Sequence, residues 1–230
     1  MRYLIAVLSF LGFLQATTLM AQNGPVVVEL FTSQGCSSCP PADAMLHDLA
    51  KRDDVIALAL HVDYWDYIGW KDVFGRPENT RRQHGYAQAA RATTVYTPQM
   101  VIGGVDHVVG SRPMQVMDAV QAQARRGNPV NVTLTRSGDA IQINATAISR
   151  GDYIVQLVRF TPEETVAIRR GENAGRTFSY ANIVKSWDVI GRWDGLTALT
   201  LNAAAVGSDG VVVIVQQNGH GPIAGAAKLR

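Results

Sequence analysis

Cys36 and Cys39 are the only two cysteines in the 230-residue chain. Only Ser37 and Ser38 separate them, within FTSQGCSSCPPADAML, which starts at Phe31. Two intervening residues let the sulfurs close a small ring when the second sits on the first turn of a helix. That suits a reversible disulfide, in which one thiolate attacks and the other resolves the mixed disulfide. Cys36 is then the attacking thiol and Cys39 the resolving one. Helix N-terminal amides stabilise an attacking thiolate, but Pro40 and Pro41 weaken that help. Inside a helix Pro40 would collide with the carbonyl four positions back. As first helical residues the two prolines fit, with Cys39 near the cap, so the helix starts late and holds Cys36 less strongly.

Two other chemistries stay open for the pair. It could be a permanent structural disulfide. It could also hold copper(I) together with a histidine, since soft ligands select that ion. Structural zinc usually needs four ligands. There is no second cysteine pair, and His47, His61, His84, His107 and His220 show no ligand spacing among themselves. No metal ligand set and no cofactor are assigned.

The flanking pattern must position these residues. PVVVELF (Pro25 to Phe31) is a continuous apolar, β-branched run, the signature of a strand buried on both faces. PADAMLHDLAKRDD follows the cysteines with apolar residues at helical spacing and Asp43, His47, Asp48 and Lys51 mainly on the other side, and VIALALHVD (Val55 to Asp63) is a second buried strand. The helix PENTRRQHGYAQAARAT comes next. A hairpin then turns at Gly103-Gly104, and an amphipathic helix begins at Ser111. Strands alternating with helices predict an α/β fold with a mixed sheet. Composition shifts at Gly127 to Val130; beyond it the chain reads as strands. The expected organisation is residues 25–127 as the α/β domain and 130–230 as a smaller β-rich domain, an antiparallel sheet or sandwich. The basic stretch AIRRGENAGRTFSY (Ala167 to Tyr180) could meet the first domain near the cysteines or bind an anionic group, but reads more readily as a long hairpin loop with a solvated face.

An apolar fraction of 47% against 17% charged residues describes a chain able to bury a core. A net charge of +2 is too small to draw nucleic acid. Arg2, an apolar run from Tyr3 to Leu14 and a short polar stretch ending at Ala21 form the layout of a signal peptide, residues 1–21. The expected location is therefore periplasmic or secreted, with no membrane attachment after cleavage. An oxidising compartment favours a disulfide-competent pair over a metal site.

VYTPQMVIGG supplies a second landmark, Thr97-Pro98 ahead of an apolar strand. With the cysteines and the element order, it resembles the thioredoxin superfamily. In that family the proline peptide is cis and lies against the cysteine pair. The resemblance implies that Pro98 shapes the site and that the backbone around Thr97 offers an edge to an extended substrate. It also implies a buried acid on the preceding strand that relays a proton; Glu29 stands at about that place, with a turn to Cys36 one residue longer, and its other reading is a carboxylate that reaches the strand edge or pairs with an arginine. The whole set VELFTSQGCSSCPPADAML, HVDYWDYIGWKDVFGRPENTRRQ, YTPQMVIGG and RRGENAGRTFSYANIV is similar to a secreted bacterial family, domain of unknown function 1223. That family implies a thioredoxin-like domain but no substrate. Gly35 before the pair, Ser-Ser within it and the following β-rich half depart from thioredoxin. Trp65 and Trp70, in an aromatic segment after a central strand, are candidates to border the substrate. The expected partner is a protein or small thiol/disulfide substrate.

Overall fold

The computed structural model describes residues 24–229; the predicted signal peptide lies outside them. The chain runs β1 (Val26–Thr32), α1 (Pro40–Leu49), β2 (Val55–His61), α2 (Pro77–Ala89), β3 (Gln99–Ile102), β4 (Asp106–Val109) and α3 (Pro113–Arg126). The later half is all strand: β5 (Val130–Ser137), β6 (Ala140–Ala147), β7 (Tyr153–Ala167), β8 (Thr177–Trp193), β9 (Leu199–Ala204), β10 (Gly210–Gln217) and β11 (Ile223–Leu229). A 3-10 turn at Asp66–Ile68 interrupts the aromatic segment.

Eight strands form one mixed sheet in the order β11-β10-β7-β8-β2-β1-β3-β4. β1 pairs parallel with β2 and antiparallel with β3, as a buried central strand should. Both β1 and β2 are buried along their whole length. The Gly103-Gly104 turn has φ of 60° and 75°, the left-handed pair that a tight hairpin between β3 and β4 requires. Alternation along β1 sets two faces. Val28 and Leu30 pack with Ala42 and Leu46 of α1 and Val116 and Val120 of α3. Val27 and Phe31 pack with Tyr86 of α2 on the other side.

β5, β6 and β9 make the smaller antiparallel sheet. Its Val132, Ile141 and Ile143 stack on Val155, Leu157, Val211 and Val213 of the large sheet. The composition shift near Gly127 is therefore no break in the large sheet, because β7, β8, β10 and β11 extend it. The seam is β8 against β2, parallel at Ala59↔Ile183, where Asn182 Nδ2 donates to the Ala57 carbonyl at 2.8 Å.

Candidate functional site

β1 ends at Thr32 and the chain turns through Gln34 to Ser38 before α1 begins. Cys36 and Cys39 are bonded within that turn, with their Cα atoms 5.4 Å apart. Cys39 is the N-cap, and Pro40 and Pro41 are the first helical residues. This start leaves almost no free amide for the sulfurs. The two prolines carry no N–H; Cys39 N donates to Cys36 O, and Ala42 N and Asp43 N both donate to Cys39 O. Helix-terminal stabilisation of a thiolate is correspondingly weak. The Ser38 hydroxyl lies 3.5 Å from Cys36 Sγ.

Thr97-Pro98 is a cis peptide. A side-chain carbon placed on Gly110 would lie 3.0 Å from Ala42 Cβ and 3.3 Å from Pro98 Cβ. Pro98 thus stands beside the first turn of α1, with Gly110 admitting both neighbours. Trp65 Nε1 donates to Thr97 Oγ1 at 2.7 Å, which fastens the aromatic segment to the residue before the proline. Trp70 Nε1 donates to Gln34 Oε1 at 2.8 Å. Both indoles are therefore anchored as walls of the site. The ring left open is Tyr67, 80% exposed and stacked on Trp65 at 6.3 Å.

Neither cysteine is open to solvent: Cys36 is 2% and Cys39 1% exposed. Ile68 and Trp65 close over Gly35 from the aromatic segment. The β7–β8 hairpin tip packs against that segment at Gly171, and its Asn173 Nδ2 donates to Gln34 O at 2.9 Å and to Cys36 O at 3.1 Å. The tip was expected to be a solvated basic loop; its arginines Arg169 and Arg170 are exposed, but Asn173 is buried on the cysteine turn. Asparagine satisfies two carbonyls that burial would otherwise orphan. Asn173→Ala is expected to let the tip withdraw and speed reduction of the bond by dithiothreitol three- to tenfold, read by thiol trapping. An unchanged rate would show that the tip does not limit access.

A polar cluster lies beneath the pair. Thr32 and His61 are register partners at the ends of β1 and β2, and alternation turns both toward α1. Thr32 Oγ1 donates to Asp43 Oδ1 at 2.7 Å. His61 Nδ1 lies 2.7 Å from Asp72 Oδ2, with both side chains fully buried. Asp72 also accepts from Gln34 N and Phe74 N, each at 2.8 Å. Burial pushes Asp72 upward, but the charge and hydrogen bond of His61 and these two amides outweigh it, so its pKa is lowered. An ionised Asp72 makes Nδ1 the donor, and His61 Nε2 is left buried without a partner. The His61 ring is held edge-on by Phe74 and Tyr180. Asp43 moves the other way: burial raises its pKa to about 7, despite the opposing charge of His61 and the Thr32 hydroxyl.

Glu29 is not brought to the cysteines. It shares the face of Val27 and Phe31, toward α2, whereas the cysteine turn and α1 cover the face of Leu30. Its carboxylate takes Arg82 Nε at 2.5 Å and Nη2 at 2.9 Å, and Tyr86 Oη donates to it at 2.5 Å. Asp72 was not singled out from the sequence, and Asp43, expected with His47, Asp48 and Lys51 on the polar side of α1, is instead buried against Thr32. For Asp43 the available signal was an acid four residues after Cys39 on the buried helix face. Among the described residues no cluster of three or more His, Cys, Asp or Glu is disposed to hold a metal.

The X-ray structure of protein AGR_C_4864 from Agrobacterium tumefaciens is similar at a TM-score of 0.80 and 37% identity, covering 91% of this chain and 96% of that one. HBP35 of Porphyromonas gingivalis shares the fold at a TM-score of 0.58 with 13% identity, over 90% of this chain and 75% of its own. No curated protein matches the sequence. The model of the family described as protein of unknown function (DUF1223) matches residues 27–216, and the chain belongs to that family.

Proposed function

We propose that this protein is an exported thiol–disulfide oxidoreductase of thioredoxin-like build. Cys36 attacks, Cys39 resolves, and a protein or small thiol/disulfide is the substrate. The observation that carries the reading is what lies under the pair. Asp43, His61 and Asp72 are all buried there, and burying titratable groups costs stability that a static bridge has no use for. The loop of Thr97 and Pro98, beside the first turn of α1, offers backbone to an incoming extended chain.

The local start of α1 also favours a direction. Thiolate stabilisation favours the reduced form and makes a pair oxidising, as in the strongest oxidants of this chemistry. Here Pro40 and Pro41 remove the amides that would supply it. The pair is therefore expected at the reducing end, about −270 to −200 mV. Equilibrating the mature chain against glutathione and dithiothreitol buffers, with trapping of free thiols, measures this. A value near about −120 mV would reverse the direction, and one below about −300 mV would mark a structural bridge.

A further inference from the structure

We propose that the cysteine pair exchanges with anionic partners: the substrate carries a carboxylate close to its sulfur, and the basic tip of the β7–β8 hairpin, with Lys71, draws it to the cysteine turn. The assignment names a substrate class for the exchange reading above and rests on that reading.

The tip is a closed loop, because Ile168 N donates to Arg176 O and Gly175 N donates to Ile168 O. Two of the residues between them bring it to the cysteines. Asn173 holds the Gln34 and Cys36 carbonyls. Gly171 lies against the aromatic segment, where a side-chain carbon placed on it would stand 3.2 Å from Trp70 Cβ. Arg169 and Arg170 lead into Gly171, and Lys71 follows Trp70, so three charges flank one contact. Arg176 Nη1 donates to Asn173 Oδ1 at 3.3 Å. Its guanidinium lies 4.7 Å over the Phe178 ring, which holds a fourth charge beside the amide that caps the cysteine turn.

Lys71, Arg169, Arg170 and Arg176 are all exposed, and on these two segments the exposed carboxylate set against them is Glu172. Asp63 and Asp66 are half-buried and bonded to Thr80 and to the Asp72 amide. Among the described residues none of the four cations forms an ion pair, whereas Arg52, Arg81 and Arg126 elsewhere each hold an acid. Uncommitted positive charge is thus gathered beside the disulfide.

Exchange gives that charge a use. The attacking thiolate is negative, and its charge spreads over three sulfurs as the new bond forms and the old one breaks. An anionic partner adds to this repulsion, and nearby cations offset it. A surface of one sign also raises the local concentration and the on-rate of oppositely charged partners. In the reduced chain the Cys36 thiolate attacks one sulfur of a disulfide and expels a thiolate. The Cys39 thiolate then attacks Cys36 Sγ, which closes the ring and expels the second thiolate. The pair is oxidised and the substrate is reduced to two thiols.

The test compares ring closure of the reduced mature chain with three disulfides of similar length: dithiodipropionate, which is anionic, hydroxyethyl disulfide, which is uncharged, and cystamine, which is cationic. Rates are read where they are proportional to disulfide concentration, in the parent and in the Arg169→Gln, Arg170→Gln double variant. Hydroxyethyl disulfide reports any change in access, so each charged disulfide is read as a ratio to it. At an ionic strength of about 0.01 M the double variant should lower the dithiodipropionate ratio about three- to tenfold and raise the cystamine ratio. At about 1 M, where the Debye length is about 3 Å, the parent should approach the variant. A cystine peptide flanked by glutamates, run alongside, separates a peptide-borne from a free carboxylate: the source is the one whose rate falls further. Ratios unmoved by both the substitutions and salt would overturn the assignment. Ring closure with none of the three disulfides would overturn the exchange reading, and the assignment with it.

Discussion

Asp43→Asn is expected to make the protein more stable at pH 8 and to leave it close to the parent at pH 4. The folded chain holds the Asp43 proton up to about pH 7, whereas the unfolded chain releases it near 3.8. Between those values the folded state binds more protons, so stability falls as pH rises through the window. The window is worth about 4 kcal/mol, on the order of 1.4 kcal/mol for each unit of pKa difference. Asp72 has the opposite sign, since its folded pKa is depressed. Its contribution is present above its unfolded value and is lost only as pH falls below it, so the two groups act in separate ranges. Asparagine keeps the shape and can still accept from Thr32, but it never ionises. Urea unfolding of the oxidised proteins at pH 4, 6 and 8 would display the divergence. A constant offset between variant and parent at all three values would sink this account.

Arg82→Met is expected to cost about 3–5 kcal/mol, the range for stripping one partner from a buried ion pair. Arg82 is the hub that ties the sheet to α2. It pairs with Glu29 on β1, bonds Tyr86 on its own helix, and reaches Gln156 of β7 and Gln216 of β10. Its guanidinium lies 3.7 Å over the Trp187 ring of β8. Removing it strands the Glu29 carboxylate among Val27, Phe31 and Val101, with only Tyr86 still donating. For a domain of this size the loss corresponds to roughly 10 °C in Tm. Adding Glu29→Gln to Arg82→Met should recover part of it, because no buried charge then remains. Ring closure should be unaffected in Glu29→Gln, since Glu29 lies across the sheet from the cysteine turn. Calorimetry of the two variants, with closure rates on Glu29→Gln, decides the matter. A loss below about 1 kcal/mol in Arg82→Met would mean that the network is far weaker than its geometry suggests.

Local patterns carried most of the first half. The unbroken apolar runs gave β1 and β2, the prolines placed the start of α1 at Pro40, and Gly103-Gly104 marked its hairpin. What was hidden depends on parity and on distant segments. Glu29 and Leu30 are neighbours in sequence, and one residue decides which faces α1; the uncertain length of the turn before Cys36 obscured that choice. Asp72 acquires its role only when the aromatic segment folds back over His61. Asn173 reaches the cysteine turn from far along the chain, and no local propensity encodes that contact. The strands of the second half were legible as strands, but their partners were not, because β7, β8, β10 and β11 follow no βαβ rhythm that would announce membership of the large sheet.

The seam between β2 and β8 carries a further consequence. β2 is buried on both faces and along both edges, and the second half supplies one of those edges. A fragment ending at Gly127 would bare the β2 margin, a row of unpaired N–H and C=O groups on a strand of Val, Ile, Ala and Leu. Such an edge is a template for sticking to another copy of itself. The later strands therefore cover the edge of β2 against which a stray strand would otherwise dock.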